Sequence, residues 1–273
     1  MPRTTTRIVS LAPNVTSILH ALGGAHDLVA VSRWCKDVAP VSALPAVGDC
    51  WRLNVAEVMR LKPTLIIGSV PFALETVEEI LAQPVAFLAI NPRALADIEN
   101  DARTLGRLVA RAVAAERLIT KMNRSFESVR RKARSHKSST KPKVYAEAWS
   151  NPRISSPPWV AELIVLAGAT PAVAAGAQVS DEEIAIANPD VIVLAWTATG
   201  DRSKPESALN NPKWKDVSAV QSGRVHVICD ELLNTPGPPL IEGAEQLYRA
   251  IWNEDTTPPR KRRSKPSKGS RSC

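Results

Sequence analysis

Tryptophan is the residue whose number and placement stand out in this sequence. The chain contains seven tryptophans against three phenylalanines and two tyrosines. Trp34, Trp149 and Trp196 each follow a short apolar run that predicts a parallel β-strand. The carboxyl ends of such strands are where open α/β sheets bind ligands, and aromatic side chains present flat apolar faces there. We therefore predict a site that holds a flat, large and partly apolar ligand against aromatic walls.

Motifs for catalysis are not found in the sequence. The four histidines form no HExxH or paired spacing, and the chain contains no GxGxxG, P-loop or GxSxG motif. The four cysteines form no CxxC pair and no zinc spacing, so free thiols are expected. These patterns predict a binding protein with no catalytic residues and no metal held by the protein.

Strand and helix signals alternate through the first 94 residues. The predicted strands are 7–11, 28–32, 65–68 and 85–90. Helical segments separate them, with Pro13 at the start of one helix and Asn54 as the cap of another. Alternation of this kind predicts an α/β fold with a largely parallel sheet.

From Leu95 to about Arg134 the apolar residues recur at helical spacing and no strand signal occurs. We interpret this region as one helix of roughly 35–40 residues, about 55 Å long. A helix of that length exceeds what one small sheet can cover, so we expect it to join two lobes with little hinge closure.

The second half of the chain repeats helix frames of the first. Pro13–Gly23 and Pro158–Gly168 both run from a proline through a helix to a glycine. Asn54–Pro63 and Ser180–Pro189 both run from a cap to a proline ahead of an apolar strand. We predict two pseudo-symmetric α/β lobes on this basis. The predicted segments are an N-terminal lobe at 1–94, the linking helix at 95–135, a C-terminal lobe at 136–252 and a disordered basic tail at 253–273.

The formal net charge of +8 is concentrated rather than spread over the folded part. Seven lysines and arginines and no acid lie in 256–273, and a second basic cluster occupies 130–143. A nucleic-acid-associated function through the tail is therefore an alternative, but a solvated end is the favoured interpretation. No apolar run approaches 18 residues, so no membrane-spanning segment is predicted.

Several segments, taken in order, resemble one family, the helical-backbone periplasmic binding proteins, and within it the cobalamin-binding proteins of vitamin B12 uptake. The matching segments are Ile8–Thr16, Val31–Cys35, Val47–Asp49 with Leu53-Asn54, Leu61–Ile67, Val179–Glu182, Asn188–Ile192 and Pro236–Gly243. The resemblance implies non-catalytic binding of a cobalt corrinoid in an aromatic cleft between the lobes, as the substrate-binding part of an ABC transporter.

The resemblance also assigns candidate residues. The ligand-binding candidates are Trp34, Cys35, Trp51, Trp149, Trp196, Asp230 and Asn234. Glu182 matches the acid that docks one lobe of such proteins onto an arginine of the membrane permease. The matching position in the first lobe is Ala56, and its neighbour Glu57 is the nearest acid.

Two questions stay open at this point. The same fold could bind an iron-siderophore or haem, and Arg33, Arg52 and Arg153 lie near enough to the predicted cleft to pair with an anionic ligand. The sequence as written shows no export signal, which favours the cytoplasm. A true start upstream would instead make the protein periplasmic.

Overall fold

A computed structural model describes residues 6–136, 140–197 and 204–254. The chain forms two compact units. The first comprises the residues up to Ser125 together with Thr235–Ile241, and the second comprises Phe126–Asn234 and the residues from Glu242 onward. Most of the predicted basic tail lies outside the described residues.

The first unit is built on a five-stranded sheet in which every pairing is parallel. Its strands are β1 (Ile8–Ser10), β2 (Leu28–Ser32), β3 (Ala46–Val47), β4 (Leu65–Ser69) and β5 (Ala86–Ile90). Their order is β3-β2-β1-β4-β5, so the first strand lies in the middle. Val9 in β1 and Ile66 in the neighbouring β4 are fully buried, as expected for strands covered on both faces.

Helices alternate with these strands, as the sequence pattern predicts. They are α1 (Pro13–Ala21), α2 (Val55–Arg60), α3 (Leu74–Leu81) and α4 (Leu95–Leu108). Pro13 occupies the first turn of α1, where a missing N–H costs nothing, and Gly23 follows the helix with a φ of 73°. The side chain of Asn54 accepts a hydrogen bond from the backbone N–H of Glu57 and so caps α2.

The prediction of one helix over 95–135 is wrong. α4 ends at Leu108, and a second helix, α5 (Ala112–Ser135), begins after a break at Ala110, whose φ is 53°. Two contacts between α4 and α5 show that the chain reverses at this break. Arg103 Nε lies 2.9 Å from Glu116 Oε1, and Asn123 Nδ2 lies 2.9 Å from Glu99 Oε1. Two antiparallel helices therefore replace the straight helix.

The boundary between the compact units falls inside α5, after Ser125. The predicted independent linker at 95–135 is thus divided: α4 and the first half of α5 belong to the first unit, and the rest of α5 belongs to the second.

The second unit has a mixed five-stranded sheet. Its strands are β6 (Lys143–Ser150), β7 (Arg153–Ser155), β8 (Thr170–Pro171), β9 (Val191–Leu194) and β10 (Val225–Val227). The order is β10-β9-β6-β7, and β8 also pairs with β6. Only the β6–β7 pairing is antiparallel, and the short strands β7 and β8 were not predicted.

Seven helices complete the described part of the chain after α5. They are α6 (Pro158–Leu166), α7 (Asp181–Ala187), α8 (Glu206–Leu209), α9 (Ser218–Gln221), α10 (Asp230–Leu233), α11 (Leu240–Trp252) and a 3₁₀ helix at Pro212–Trp214. The core of this unit surrounds Tyr145 and Trp214, which meet edge to face with ring centroids 6.1 Å apart.

The repeated helix frames have equivalent structures. α6 begins with Pro158 and is followed by Gly168 at a φ of 82°, as α1 is by Gly23. Ser180 caps α7 by accepting a hydrogen bond from Glu183 N, as Asn54 does for α2. Each unit is therefore an α/β layer whose first strand is central and whose strand ends bear the tryptophans.

Within the described ranges, no helix combines the length and the apolar character that a membrane crossing requires.

Candidate functional site

Two tryptophan-bearing loops leave neighbouring strands of the first sheet. β2 ends at Ser32, and the 3₁₀ helix Arg33–Asp37 that follows carries Trp34. β3 ends at Val47, and the loop after it carries Trp51, whose side chain is 59% exposed. Since β2 and β3 are paired in parallel, both loops lie at the same edge of the sheet.

Asp49 holds these two loops together. Its Oδ2 accepts a hydrogen bond from Trp34 Nε1 at 3.0 Å, and its Oδ1 accepts from the backbone N–H groups of Trp51 and Arg52 at 3.1 Å each. The preceding residue is Gly48, and a Cβ there would lie 1.8 Å from the carbonyl oxygen of Arg52. The turn that presents Asp49 therefore requires glycine.

The side chain of Arg33 lies next to both Trp34 and Asp49. The guanidinium of Arg33 lies 4.5 Å from the centre of the Trp34 ring, and its Nη2 is 3.8 Å from Asp49 Oδ2. The Arg33 side chain is 65% exposed, so its ion pair with Asp49 is open to exchange with an anionic group from outside.

Cys35 does not contact the open edge. The side chain is fully buried, and its Sγ lies 3.0 Å from Thr16 Oγ1 and 3.2 Å from Ser32 Oγ. Burial raises the pKa of the thiol above its usual value. The prediction that Cys35 touches the ligand is incompatible with this position, where the thiol instead fixes the Trp34 loop to α1.

The expectation of free thiols holds for two of the cysteines. Cys35 and Cys50 are free and buried, whereas Cys229 is disulfide-bonded. Within the described ranges, no group of three or more histidine, cysteine or carboxylate side chains could hold a metal ion.

The second sheet presents two of the predicted tryptophans. Trp149 lies near the end of β6, is 40% exposed and donates its indole N–H to the carbonyl oxygen of Asn151 at 2.9 Å. Trp196 lies two residues beyond β9 and is half-buried, with its ring against the core of this unit. β6 and β9 are parallel neighbours, so both tryptophans are at one sheet edge.

A buried carboxylate, absent from the sequence-based candidates, holds Trp196. Glu147 in β6 has no exposed surface, and its Oε1 accepts a hydrogen bond from Trp196 Nε1 at 2.7 Å. Its Oε2 accepts from the hydroxyl of Tyr145 at 2.6 Å and from Arg153 Nη1 at 2.9 Å. A buried charge needs such partners, and the lone acid in the apolar run Val144–Trp149 was the available sequence signal.

Arg153 links Glu147 to the first turn of α7. Its Nε lies 2.7 Å from Asp181 Oδ1, and its guanidinium stacks 4.3 Å from the centre of the Trp214 ring. Burial alone would lower the pKa of Arg153, but the charges of Glu147 and Asp181 outweigh burial and raise it. Arg153 therefore stays charged, and its charge is balanced by two carboxylates within the unit.

Asn234 lies beside Trp196. Its Nδ2 donates to the carbonyl oxygen of Ala195 at 2.6 Å and to Thr197 Oγ1 at 3.1 Å. Its Oδ1 is buried and has no hydrogen-bond partner among the described residues. Asp230 opens α10 at the other end of the same short helix and is half-buried. Of the predicted polar pair, Asn234 therefore lies against the Trp196 loop.

The two predicted docking acids are both on helix first turns. Glu182 is 63% exposed and forms an ion pair with Lys213 at 2.8 Å, which lowers the pKa of its carboxyl group. Glu57 is exposed in the first turn of α2. Ile186, one turn after Glu182 on α7, is 84% exposed, so this helix presents an acid next to an apolar side chain.

These features define a class of protein. Two α/β units carry aromatic side chains at the carboxyl ends of their strands, which is where open α/β sheets bind small molecules. The family model for periplasmic binding proteins matches residues 8–232, and the chain belongs to this family of substrate-binding proteins of transport systems.

Relatives and a solved structure agree with this assignment. The chain is 27% identical over 258 residues to the uncharacterized ABC transporter substrate-binding lipoprotein YvrC of Bacillus subtilis, covering 90% of this chain and 80% of that protein. It is 25% identical over 256 residues to the vitamin B12-binding protein of Vibrio cholerae, covering 88% and 87%. The periplasmic heme-binding protein RhuT from Roseiflexus sp. RS-1 has the same fold, with a TM-score of 0.78, 23% identity and coverage of 91% and 98%.

Proposed function

We propose that this chain is the substrate-binding component of an ABC transporter and that its ligand is a cobalt corrinoid. One observation carries the proposal: each unit presents an indole at the carboxyl edge of its sheet with its N–H held by a carboxylate, Trp34 by Asp49 and Trp196 by Glu147. Indoles fixed in this way offer ring surfaces to a flat macrocycle. The vitamin B12-binding relative supports the corrinoid as that macrocycle.

The side chains near the strand ends favour a corrinoid over haem. Proteins hold haem iron through histidine, cysteine, methionine or tyrosine. The loops that leave the carboxyl ends of the strands contain, of these types, only Cys35, Cys50 and Cys229. The first two are buried and the third is disulfide-bonded. A cobalamin carries its own axial base, and its peripheral amides suit the neutral amide of Asn234.

Haem or an iron-siderophore is the second candidate, and two exposed cations favour it. Arg33 and Arg52 lie on the tryptophan-bearing loops of the first sheet, and both are exposed. Either guanidinium could pair with carboxylate groups of an anionic ligand. The fold shared with a heme-binding protein is compatible with this alternative.

Titration of the purified full chain distinguishes these ligands. Intrinsic tryptophan fluorescence is followed during parallel titrations with cyanocobalamin, ferric haem and a ferric siderophore, with correction for ligand absorption. The proposal predicts saturable quenching by cyanocobalamin. Trp252→Phe is the control variant and should bind as the original chain does. Trp252 stacks on His136, and its Nε1 donates to the carbonyl oxygen of Ala167, which follows α6. Saturable quenching by haem alone would contradict the corrinoid and favour haem as the ligand.

For delivery, we propose that Glu182 and Glu57 contact basic residues of a permease. The exposure of both acids supports this role, and Lys213 is the internal partner that a permease arginine would replace at Glu182. The family's periplasmic description and the lipoprotein relative favour a position outside the cytoplasm over the cytoplasmic alternative.

A further inference from the structure

We propose that Glu147 is a positioning residue for ligand binding, which acts by holding the indole of Trp196 at the edge of the second sheet. The inference rests on the proposed function, since it assigns Trp196 to the ligand. Glu147 itself touches no ligand, because its side chain has no exposed surface.

The hydrogen bond between these two residues fixes the ring in one orientation. Trp196 lies two residues beyond β9. The backbone N–H groups of its neighbours Ala195 and Thr197 still donate to β6, which holds the backbone in place. The orientation of the indole about its side-chain bonds is therefore set by the contacts of the ring and its N–H. The indole N–H is the only polar group of the side chain and is a donor only. Its 2.7 Å bond to Glu147 Oε1 is at the short end of the range for a charge-assisted bond. Recognition by Trp196 is thereby limited to contacts of its ring.

Two side chains besides Trp196 hold the carboxylate of Glu147. The hydroxyl of Tyr145 and the guanidinium of Arg153 bond its carboxylate, and Arg153 is anchored by Asp181 and by the face of Trp214. Every member of this cluster has its partner within the unit, which makes the carboxylate a rigid acceptor. A preorganised side chain loses less freedom when a ligand binds, and this gain appears as affinity.

In the first unit a carboxylate also holds the indole of a tryptophan, but that carboxylate lies on a loop. Trp34 donates its indole N–H to Asp49, which belongs to a loop, whereas Glu147 belongs to a strand. An arginine accompanies each carboxylate: Arg33 at 3.8 Å from Asp49, and Arg153 at 2.9 Å from Glu147. Two unrelated positions thus supply the same restraint to tryptophans at the carboxyl ends of strands, which supports a role in positioning the rings for a ligand.

The first test needs no ligand. In a ¹H–¹⁵N spectrum of the full chain, the indole resonance of Trp196 is assigned by its loss in Trp196→Phe. Glu147→Gln keeps the volume and removes the charge, so we expect this resonance to move upfield and its proton to exchange faster. The Trp34 resonance should stay in place. A Trp196 resonance that is unchanged in Glu147→Gln contradicts the proposal.

The second test is a double-mutant cycle on cyanocobalamin binding. Glu147→Gln should raise the dissociation constant by about three- to tenfold in the otherwise unchanged chain, which is the cost of ordering one loosened side chain. In the Trp196→Phe background the same substitution should change it by less than about twofold. An equal effect in both backgrounds would mean that Glu147 acts through the fold alone and would overturn the proposal.

Two further variants keep the test decisive. Glu147→Asp retains the charge beside Arg153 but withdraws the oxygen from Trp196, so it replaces Glu147→Gln if that variant fails to fold. Tyr145→Phe removes a bond to the other carboxylate oxygen and should leave the Trp196 resonance near its position. A shift in Tyr145→Phe as large as that in Glu147→Gln would contradict a direct effect.

The failure of this inference can be separated from failure of the proposed function. A chain that binds ferric haem and not cyanocobalamin contradicts the corrinoid ligand, and the same cycle with haem then tests Glu147. A chain that binds neither probe overturns both the ligand assignment and the binding role of Glu147.

Discussion

Oδ2 of Asp49 lies 3.0 Å from the indole nitrogen of Trp34, while Oδ1 of the same carboxylate accepts the backbone N–H of Trp51. One side chain therefore joins two loops that leave neighbouring strands and that both carry a tryptophan. Asp49 therefore sets how these two loops meet at the carboxyl ends of β2 and β3.

Replacing Asp49 should loosen these two loops. Asp49→Asn puts an amide donor where an acceptor is needed, so at least one of its hydrogen bonds is lost. We expect a loss of about 1–2 kcal/mol in the free energy of unfolding and a roughly threefold weaker affinity for cyanocobalamin. Urea unfolding and fluorescence titration measure the two effects. Asp37→Asn, an exposed position in the 3₁₀ helix that carries Trp34, is the matched control and should change neither.

The exposed tryptophans separate binding from folding. Trp51 and Trp149 are 59% and 40% exposed, so their replacement by alanine should cost less than about 1 kcal/mol of stability. If they contact the ligand, each variant should weaken cyanocobalamin binding by about fivefold or more, since an aromatic contact contributes about 1 kcal/mol beyond burial. Unchanged affinity in both variants, with unchanged melting temperatures, would place the ligand elsewhere.

The break between α4 and α5 determines whether glycine at position 110 stabilises or destabilises the fold. Ala110 has a φ of 53°, which is unfavourable for any residue with a Cβ. Ala110→Gly should therefore raise the free energy of unfolding, by about 0.5–1 kcal/mol. In a continuous helix the same substitution would instead lower it by about 1 kcal/mol.

Ala114→Gly provides the comparison for Ala110→Gly, because Ala114 lies inside α5 and the substitution should be destabilising there. Chemical denaturation of both variants gives the two signs. Destabilisation by both would argue for the continuous helix.

Asp101 on α4 makes the stability of the first unit depend on pH. Burial, with a smaller contribution from the charge of Asp97, raises the pKa of Asp101 to about 6. The folded chain thus binds this proton more tightly than the unfolded chain does, so stability should fall as pH rises from about 4 to about 6 and level off above that. The expected loss is about 1 kcal/mol after discounting for solvent screening.

Unfolding free energies measured across this pH range, for the original chain and for Asp101→Asn, test the effect. The difference between the two should grow with pH, with the variant the more stable at pH 7. A constant difference would rule out Asp101 as the source of the pH dependence.

Local signals made much of the fold predictable. Pro13 and Pro158 start helices, and Gly23 and Gly168 follow them with positive φ, so the repeated frames could be recognised from residue types alone. The helix break at Ala110 could not, because apolar positions continue at helical spacing on both sides and alanine gives no turn signal.

The site was predictable only in part. The tryptophans could be placed because they follow apolar strands, but the groups that hold them are distant in sequence. Glu147 is 49 residues from Trp196, and Asp49 is 15 residues from Trp34. The family resemblance suggested Cys35 as a ligand contact, yet its side chain is buried in the core. Contacts of this kind depend on strand register and not on spacing along the chain.

Equilibrium dialysis of the full chain against a mixture of cyanocobalamin and ferric haem decides between the two ligands. Cyanocobalamin should be retained at one molecule per chain, and replacing Trp34 or Trp196 by leucine should reduce this retention. Retention of haem in place of cyanocobalamin, or retention of cyanocobalamin that is indifferent to both tryptophans, would contradict the proposed corrinoid site.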